Sequence, residues 1–181
     1  MKRQIRSSVF ETNSSSTHSI AISKAPAVIG KRIHFDIGEF GWENDIANTA
    51  DYLYTAILEQ RNHSELLEKL KEILDRHSIE YKFREPAYIK SNYGDYEYLD
   101  YGYIDHSDEL GDFINAIFSN EDLLMRYLFG NSTVYTGNDN QDHEPSGCNI
   151  ADAEYYDWGT SSWMPNPYHD PENYEYFYKG N

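Results

Sequence analysis

The chain has 181 residues and a formal net charge of −16, with 39% hydrophobic residues. That length suits one domain, with or without an appendage, and is enough to bury a sizeable core. A single cysteine, Cys148, excludes an internal disulfide framework and any cysteine-based zinc site, and no apolar run approaches the ~18 residues that span a bilayer.

The charge is unevenly spread. Residues 1–34 hold six basic groups and one acid, giving +5, while the rest hold nine basic and thirty acidic groups, giving −21. A body of that sign repels bare DNA and attracts basic surfaces; solubility alone would also account for it. The basic start, MKRQIRSSVFETNSSSTHS, has no apolar stretch behind it, so a secretory signal is not expected and a cytoplasmic setting is. The apolar content is unusually aromatic, with 17 Tyr, 8 Phe and 3 Trp, and tyrosine suits half-buried surfaces that keep a hydroxyl wet.

In chain order, the polar run ETNSSSTHS predicts a loop, and Ile20 and Ile22 alternating with Ser19 and Ser23 predict a short strand. Residues 31–42 read as one half-buried strand carrying Ile33, Phe35 and Ile37, ended by Gly38 and Gly41. Residues 45–60 read as an amphipathic helix, and a second follows with Asn62 or Ser64 as cap and Leu66, Leu67, Leu70, Ile73 and Leu74 as its stripe. A strand from Ile79 to Phe83 precedes Pro86. Residues 92–104, with five tyrosines, read as a hairpin or an irregular segment. Ser107 is expected to cap a third helix, and Ser119-Asn120-Glu121-Asp122 to open a fourth that ends near Gly130. Ser132 to Thr136 reads as a strand stopped at Gly137-Asn138. Beyond residue 138 the chain is acidic and rich in Tyr and Pro, and its aromatic density predicts an extended segment packed on the body or on a partner. The expectation is an α+β fold: a core over 1–138 with a small, largely antiparallel sheet and about four helices, and a C-terminal extension over 139–181.

Three constellations are capable of chemistry. In the first, the hydroxyls and amide of Asn13, Ser14, Ser15, Ser16 and Thr17 could hold a phosphate together with Arg3 and Arg6, with His18 and Glu11 as acid and base. The same hydroxyls could instead cap turns. Asp105-His106 is either a metal-binding or proton-relay pair, or the start of a helix capped by Ser107. Residues 136–144 carry enough oxygens for a divalent cation but lack the EF-hand spacing, and they read equally as a tight turn. No cofactor is expected, and no metal ligand set is assigned.

The opening RSSVFETNSSSTHSI, with HFDIGEFGWE and STVYTGNDN, resembles a group of small proteins from phages and mobile elements of Gram-positive bacteria. These pieces cover about a fifth of the chain. Small acidic proteins of that setting resemble type II anti-CRISPR proteins, which bind Cas9. The resemblance implies a cytoplasmic inhibitor of a Cas9–guide RNA effector, and some such inhibitors lead to guide RNA truncation. It transfers no catalytic residue. An effector of this type holds its heteroduplex in a positively charged channel. The carboxylates expected to face such a partner are Asp95, Glu97, Asp100, Asp105, Asp152, Glu154 and Asp157, set among tyrosines. The alternative is a phosphate-chemistry enzyme, a ribonuclease or phosphotransferase, built on the N-terminal Arg, Ser and His residues.

Overall fold

Asn48 decides where the first helix begins. Its backbone is extended, and its side-chain oxygen accepts from the Ala50 and Asp51 N–H groups at 2.9 and 3.2 Å, satisfying two of the donors a helix start leaves open. Helix α1 therefore spans Thr49–Leu58, and Asp45–Ala47 before it forms a strand rather than helix. The expected helix over 45–60 was too long because Ile46 sits at helical spacing from Ala50 while belonging to the strand.

The computed structural model describes residues 16–41, 45–90, 97–105, 110–138 and 150–179. It is an α+β fold, with four helices among the described residues. After β1 (Ser16–Ser23), β2 (Arg32–Phe35), β3 (Glu39–Phe40), β4 (Asp45–Ala47) and α1 come α2 (His63–Arg76), β5 (Glu80–Phe83), β6 (Tyr88–Lys90), β7 (Glu97–Leu99) and β8 (Tyr103–Ile104). Then follow α3 (Gly111–Ser119), α4 (Glu121–Phe129), β9 (Thr133–Asn138), β10 (Glu154–Asp157), β11 (Ser162–Pro165) and β12 (Tyr174–Lys179).

The central sheet has the order β12-β1-β9-β4, and its pairs are all antiparallel. One face carries Ile20, Ile22, Val134, Ala47 and Phe177, since residues opposite one another across strands share a face. Phe177 meets Phe113 of α3 edge-on at 5.6 Å, and Phe113 meets Tyr127 of α4 at 5.1 Å. Helix α1 is buried nearly all round, from Tyr52 through Leu58, as expected of a helix whose YLYTAIL run holds no charge. Each fully buried Leu or Ile there contributes about 1.5–3 kcal/mol.

Other expectations need correcting. Ser16–Ser19 continue β1 instead of forming a loop, because both faces of this strand are buried and its hydroxyls replace apolar groups at the centre of the sheet. The single strand expected over 31–42 is two: β2 pairs parallel with β5, and β3 parallel with β8. Between them the chain bends at Asp36–Gly38, where the Asp36 N–H donates to Asp51 and the Gly38 N–H to Thr55 of α1. The tyrosine-rich segment makes no hairpin of its own among the described residues, since β7 pairs with β6 and β8 with β3. Strand β9 runs through Gly137 and Asn138 instead of stopping there. Asn120, as expected, caps α4, accepting from the Leu123 N–H at 3.2 Å. Gly130 ends that helix with extended backbone, and a side chain there would strike the Arg126 carbonyl.

The C-terminal segment contributes the edge strand β12. Arg126 fastens it: the guanidinium donates to Asp122 at 2.8 Å, to the Ser23 carbonyl at 2.7 Å and to Glu175 of β12 at 2.7 Å. Lys24 adds a backbone bond to the Asn173 carbonyl and an ammonium bond to the Pro171 carbonyl. No helix of the described residues is long and apolar enough to cross a membrane.

Candidate functional site

Strand β1 begins with four polar residues, Ser16, Thr17, His18 and Ser19, and all four are buried. Alternation puts Ser16 and His18 on the face shared with Ile20 and Ile22, and Thr17 and Ser19 on the other. His18 is fully buried, and its Nδ1 lies 2.8 Å from the Tyr52 hydroxyl of α1, with the rings tilted at 5.6 Å. Burial holds the Tyr52 phenol well above its ordinary range, and the nearby Glu59 carboxylate adds to this. Glu59 also receives the Ile104 N–H of β8 at 3.2 Å. Buried Thr136 of β9 is the cross-strand partner of His18. Thr17 Oγ1 has no hydrogen-bond partner among the described residues.

Gly41 joins this cluster to Asp105. Its φ of +145° is a conformation side chains rarely adopt, and a Cβ there would lie 2.6 Å from Cβ of Asp105 and 3.4 Å from Cβ of Ser16. Glycine leaves the space that both side chains approach. The structure thus brings Ser16 and Asp105 close to one backbone position, Gly41, which the sequence left open. Arg3, Arg6, Glu11, Asn13, Ser14, Ser15, Asp95 and His106 lie outside the described residues, as does the oxygen-rich segment from Asp139 to Glu144. Among the described residues no group of three His, Cys, Asp or Glu side chains is placed to hold a metal ion.

A second surface is formed by β10 and β11. They make a hairpin in which Tyr156 faces Trp163 across the strands and Trp158 follows two residues after Tyr156. Tyr156 meets Trp158 at 4.9 Å and Trp163 at 5.6 Å, both at steep angles. Trp158 is 62% and Trp163 65% exposed, and Met164 and Tyr168 are exposed as well. The Asp157 carboxylate braces the turn, accepting from the Gly159 N–H and the Thr160 hydroxyl, each at 2.8 Å. Those bonds, that from Thr160 foremost, hold its carboxyl below the ordinary range. Glu154 is exposed, whereas Asp152 is half-buried, and burial raises its carboxyl against the pull of His169. Asp100 is exposed in a separate turn beside the exposed Tyr101, and Glu97 lies in β7.

Around His18, Tyr52 and Glu59 were not among the residues singled out in the sequence, and Thr136 was grouped with the oxygen-rich segment 136–144 instead. The helix that carries Tyr52 was expected to be amphipathic, yet the seven uncharged residues Tyr52–Leu58 were a legible sign of a helix buried on every side. The carboxylates of the C-terminal segment were set among tyrosines, but Trp158 and Trp163 were not singled out. The spacing of Tyr156, Trp158 and Trp163 about a Gly-containing turn was the available signal.

No family model matches the chain, and neither a curated protein nor a solved structure matches it.

Proposed function

We propose that the chain is a binding protein that docks an acidic, aromatic surface on a basic, nucleic-acid-handling protein. The observation that carries this reading is the β10–β11 hairpin, which exposes Trp158, Trp163 and Met164 to solvent. It lies in a stretch, residues 127–178, with nine carboxylates and no Lys or Arg. Exposed apolar clusters of this kind mark interaction sites, and tryptophan is enriched among the residues that dominate binding energy. The negative field selects a basic partner and speeds encounter with it. The resemblance of the opening residues makes a Cas9–guide RNA complex, in the cytoplasm of a bacterial host, the partner to test first. Capture on the immobilised complex at low salt, with a gel of the guide RNA afterwards, tests the reading and shows whether the guide is shortened. Absence of a complex at low salt, where charge attraction is strongest, sinks it.

A second reading, a phosphate-chemistry enzyme, is favoured by the buried His18–Tyr52 pair among the hydroxyls of β1. Four polar residues at the centre of a sheet are an expensive choice for packing alone. Tyr52→Phe separates the possibilities, because it keeps the ring and removes only the hydroxyl. Nuclease or phosphotransfer activity that survives both Tyr52→Phe and His18→Ala excludes this centre from catalysis.

A further inference from the structure

We infer that the ring face of the β10–β11 hairpin is a receptor for an arginine side chain, with Glu154 as its carboxylate. The inference rests on the binding reading above and names the side chain that the surface takes. Along β10, Glu154 and Tyr156 occupy alternate positions and so point to one side of the hairpin, and the Trp158 ring, in the turn that follows, meets the Tyr156 ring at 4.9 Å. Pro165 and Trp163 of β11, opposite Glu154 and Tyr156, point to the same side. That face therefore holds two aromatic rings, a proline and an exposed carboxylate, with the Trp158 ring against Tyr156.

The rings meet at 78° and 73°. In a stack each ring covers the face of the next. In an edge-to-face contact the ring that contributes its edge keeps its own faces uncovered by that contact. Trp163, 65% exposed, presents its indole to solvent on the same side of the hairpin as the exposed Glu154 carboxylate. Tryptophan faces attract cations more strongly than the other aromatic rings. The cation does not come from the surrounding sequence, since residues 127–178 hold no Lys or Arg. The cation–π pairs seen elsewhere, Lys69 over Phe118 and Arg84 over Tyr101, use basic residues of the first half of the chain.

A guanidinium fits this face better than an ammonium. It is planar and weakly hydrated, so it lies flat on an indole, and it can donate two parallel hydrogen bonds to a carboxylate. The support is preorganised. Asp157 braces the turn through Gly159 and Thr160, and Thr160 and Ser162 hydroxyls meet at 2.8 Å across it. Below the hairpin, Asn166 ties its base: its N–H donates to the Ala153 carbonyl and its side-chain amide to the Asp152 carbonyl. A rigid receptor loses little entropy on binding.

The test titrates the full chain with an arginine-only and a lysine-only peptide of equal length and charge, followed by tryptophan fluorescence at low and at raised salt. The expected result is binding of both at low salt, with the arginine peptide tighter by about five-fold and its advantage kept as salt rises. Trp163→Leu, which keeps an apolar cross-strand contact with Tyr156 but no π face, and Glu154→Gln should each reduce that advantage, with the far-ultraviolet spectrum unchanged. Equal affinity for the two peptides, indifferent to Trp163→Leu, overturns the arginine receptor while leaving an acidic binding surface in place. If neither peptide binds at low salt, the binding reading fails, and the receptor with it.

Discussion

Thr17 and His18 occupy neighbouring positions in one strand and pose opposite questions. The His18 imidazole is engaged with the Tyr52 hydroxyl at 2.8 Å in the interior. Tyr52→Phe takes away that hydrogen bond and leaves buried imidazole nitrogen behind, at an expected cost of about 1–3 kcal/mol in denaturant unfolding. The same phenol makes a prediction in alkali. Its folded-state pKa lies above the unfolded value, so its contribution to stability is whole below pH 10.0 and is lost as pH rises further. Thr17 is the reverse case, a buried hydroxyl with no partner among the described residues. Thr17→Val keeps the shape and removes the polar atom, and should leave stability unchanged or raise it by about 1 kcal/mol. A rise identifies Thr17 as a polar group kept at some expense to the fold, as functional residues are. A clear fall in the unfolding midpoint shows that the hydroxyl is satisfied.

Among the elements, β12 depends on one buried cation. Arg126→Met preserves the aliphatic bulk of that side chain but removes the bonds to Asp122, Ser23 and Glu175. The expected loss is about 1.5–3 kcal/mol, with amide exchange quickened in β12 more than in β9. Helices α2 and α4 are joined at Glu121, whose carboxylate meets Arg76 and, at 2.8 Å, His77. Arg76 above all holds the Glu121 carboxyl below its ordinary value of 4.5. That contribution is present above pH 4.5 and is lost as pH falls through the lowered folded-state value. Asp36, lowered from 3.8 chiefly by Arg84, acts in the same direction. Glu121→Gln should therefore flatten, without abolishing, the fall in thermal midpoint between about pH 5 and pH 3. The elements most legible in the sequence were those with a strong local signal, such as α2 with its leucine stripe and α4 with its Asn120 cap. The misread ones owe their state to distant partners. Asp45–Ala47 is a strand because β9 lies beside it, and Ser16–Ser19 because β9 and β12 flank it. No local pattern of hydroxyls announces a strand buried on both faces.

For the whole molecule, the order of expected helices and strands foretold an α+β body, since the pattern of elements suffices for fold class. The candidate sites were legible only in fragments. His18, Ser16, Thr17, Asp105 and the C-terminal carboxylates were in view, whereas Tyr52, Glu59 and the exposed tryptophans acquire meaning only through tertiary contacts or strand pairing. A protein with −16 net charge and exposed indoles at one hairpin should bind its partner in two additive ways: a salt-sensitive attraction spread over the body, and a local contact at the rings. The most direct measurement is the affinity of the chain for a Cas9–guide RNA complex across a salt series, beside a Trp158→Ala, Trp163→Ala variant shown to be folded. Docking through the hairpin predicts tight, salt-dependent binding by the native chain and at least about ten-fold weaker binding by the variant at every salt concentration. No binding at low salt, or equal binding by the two proteins, contradicts it.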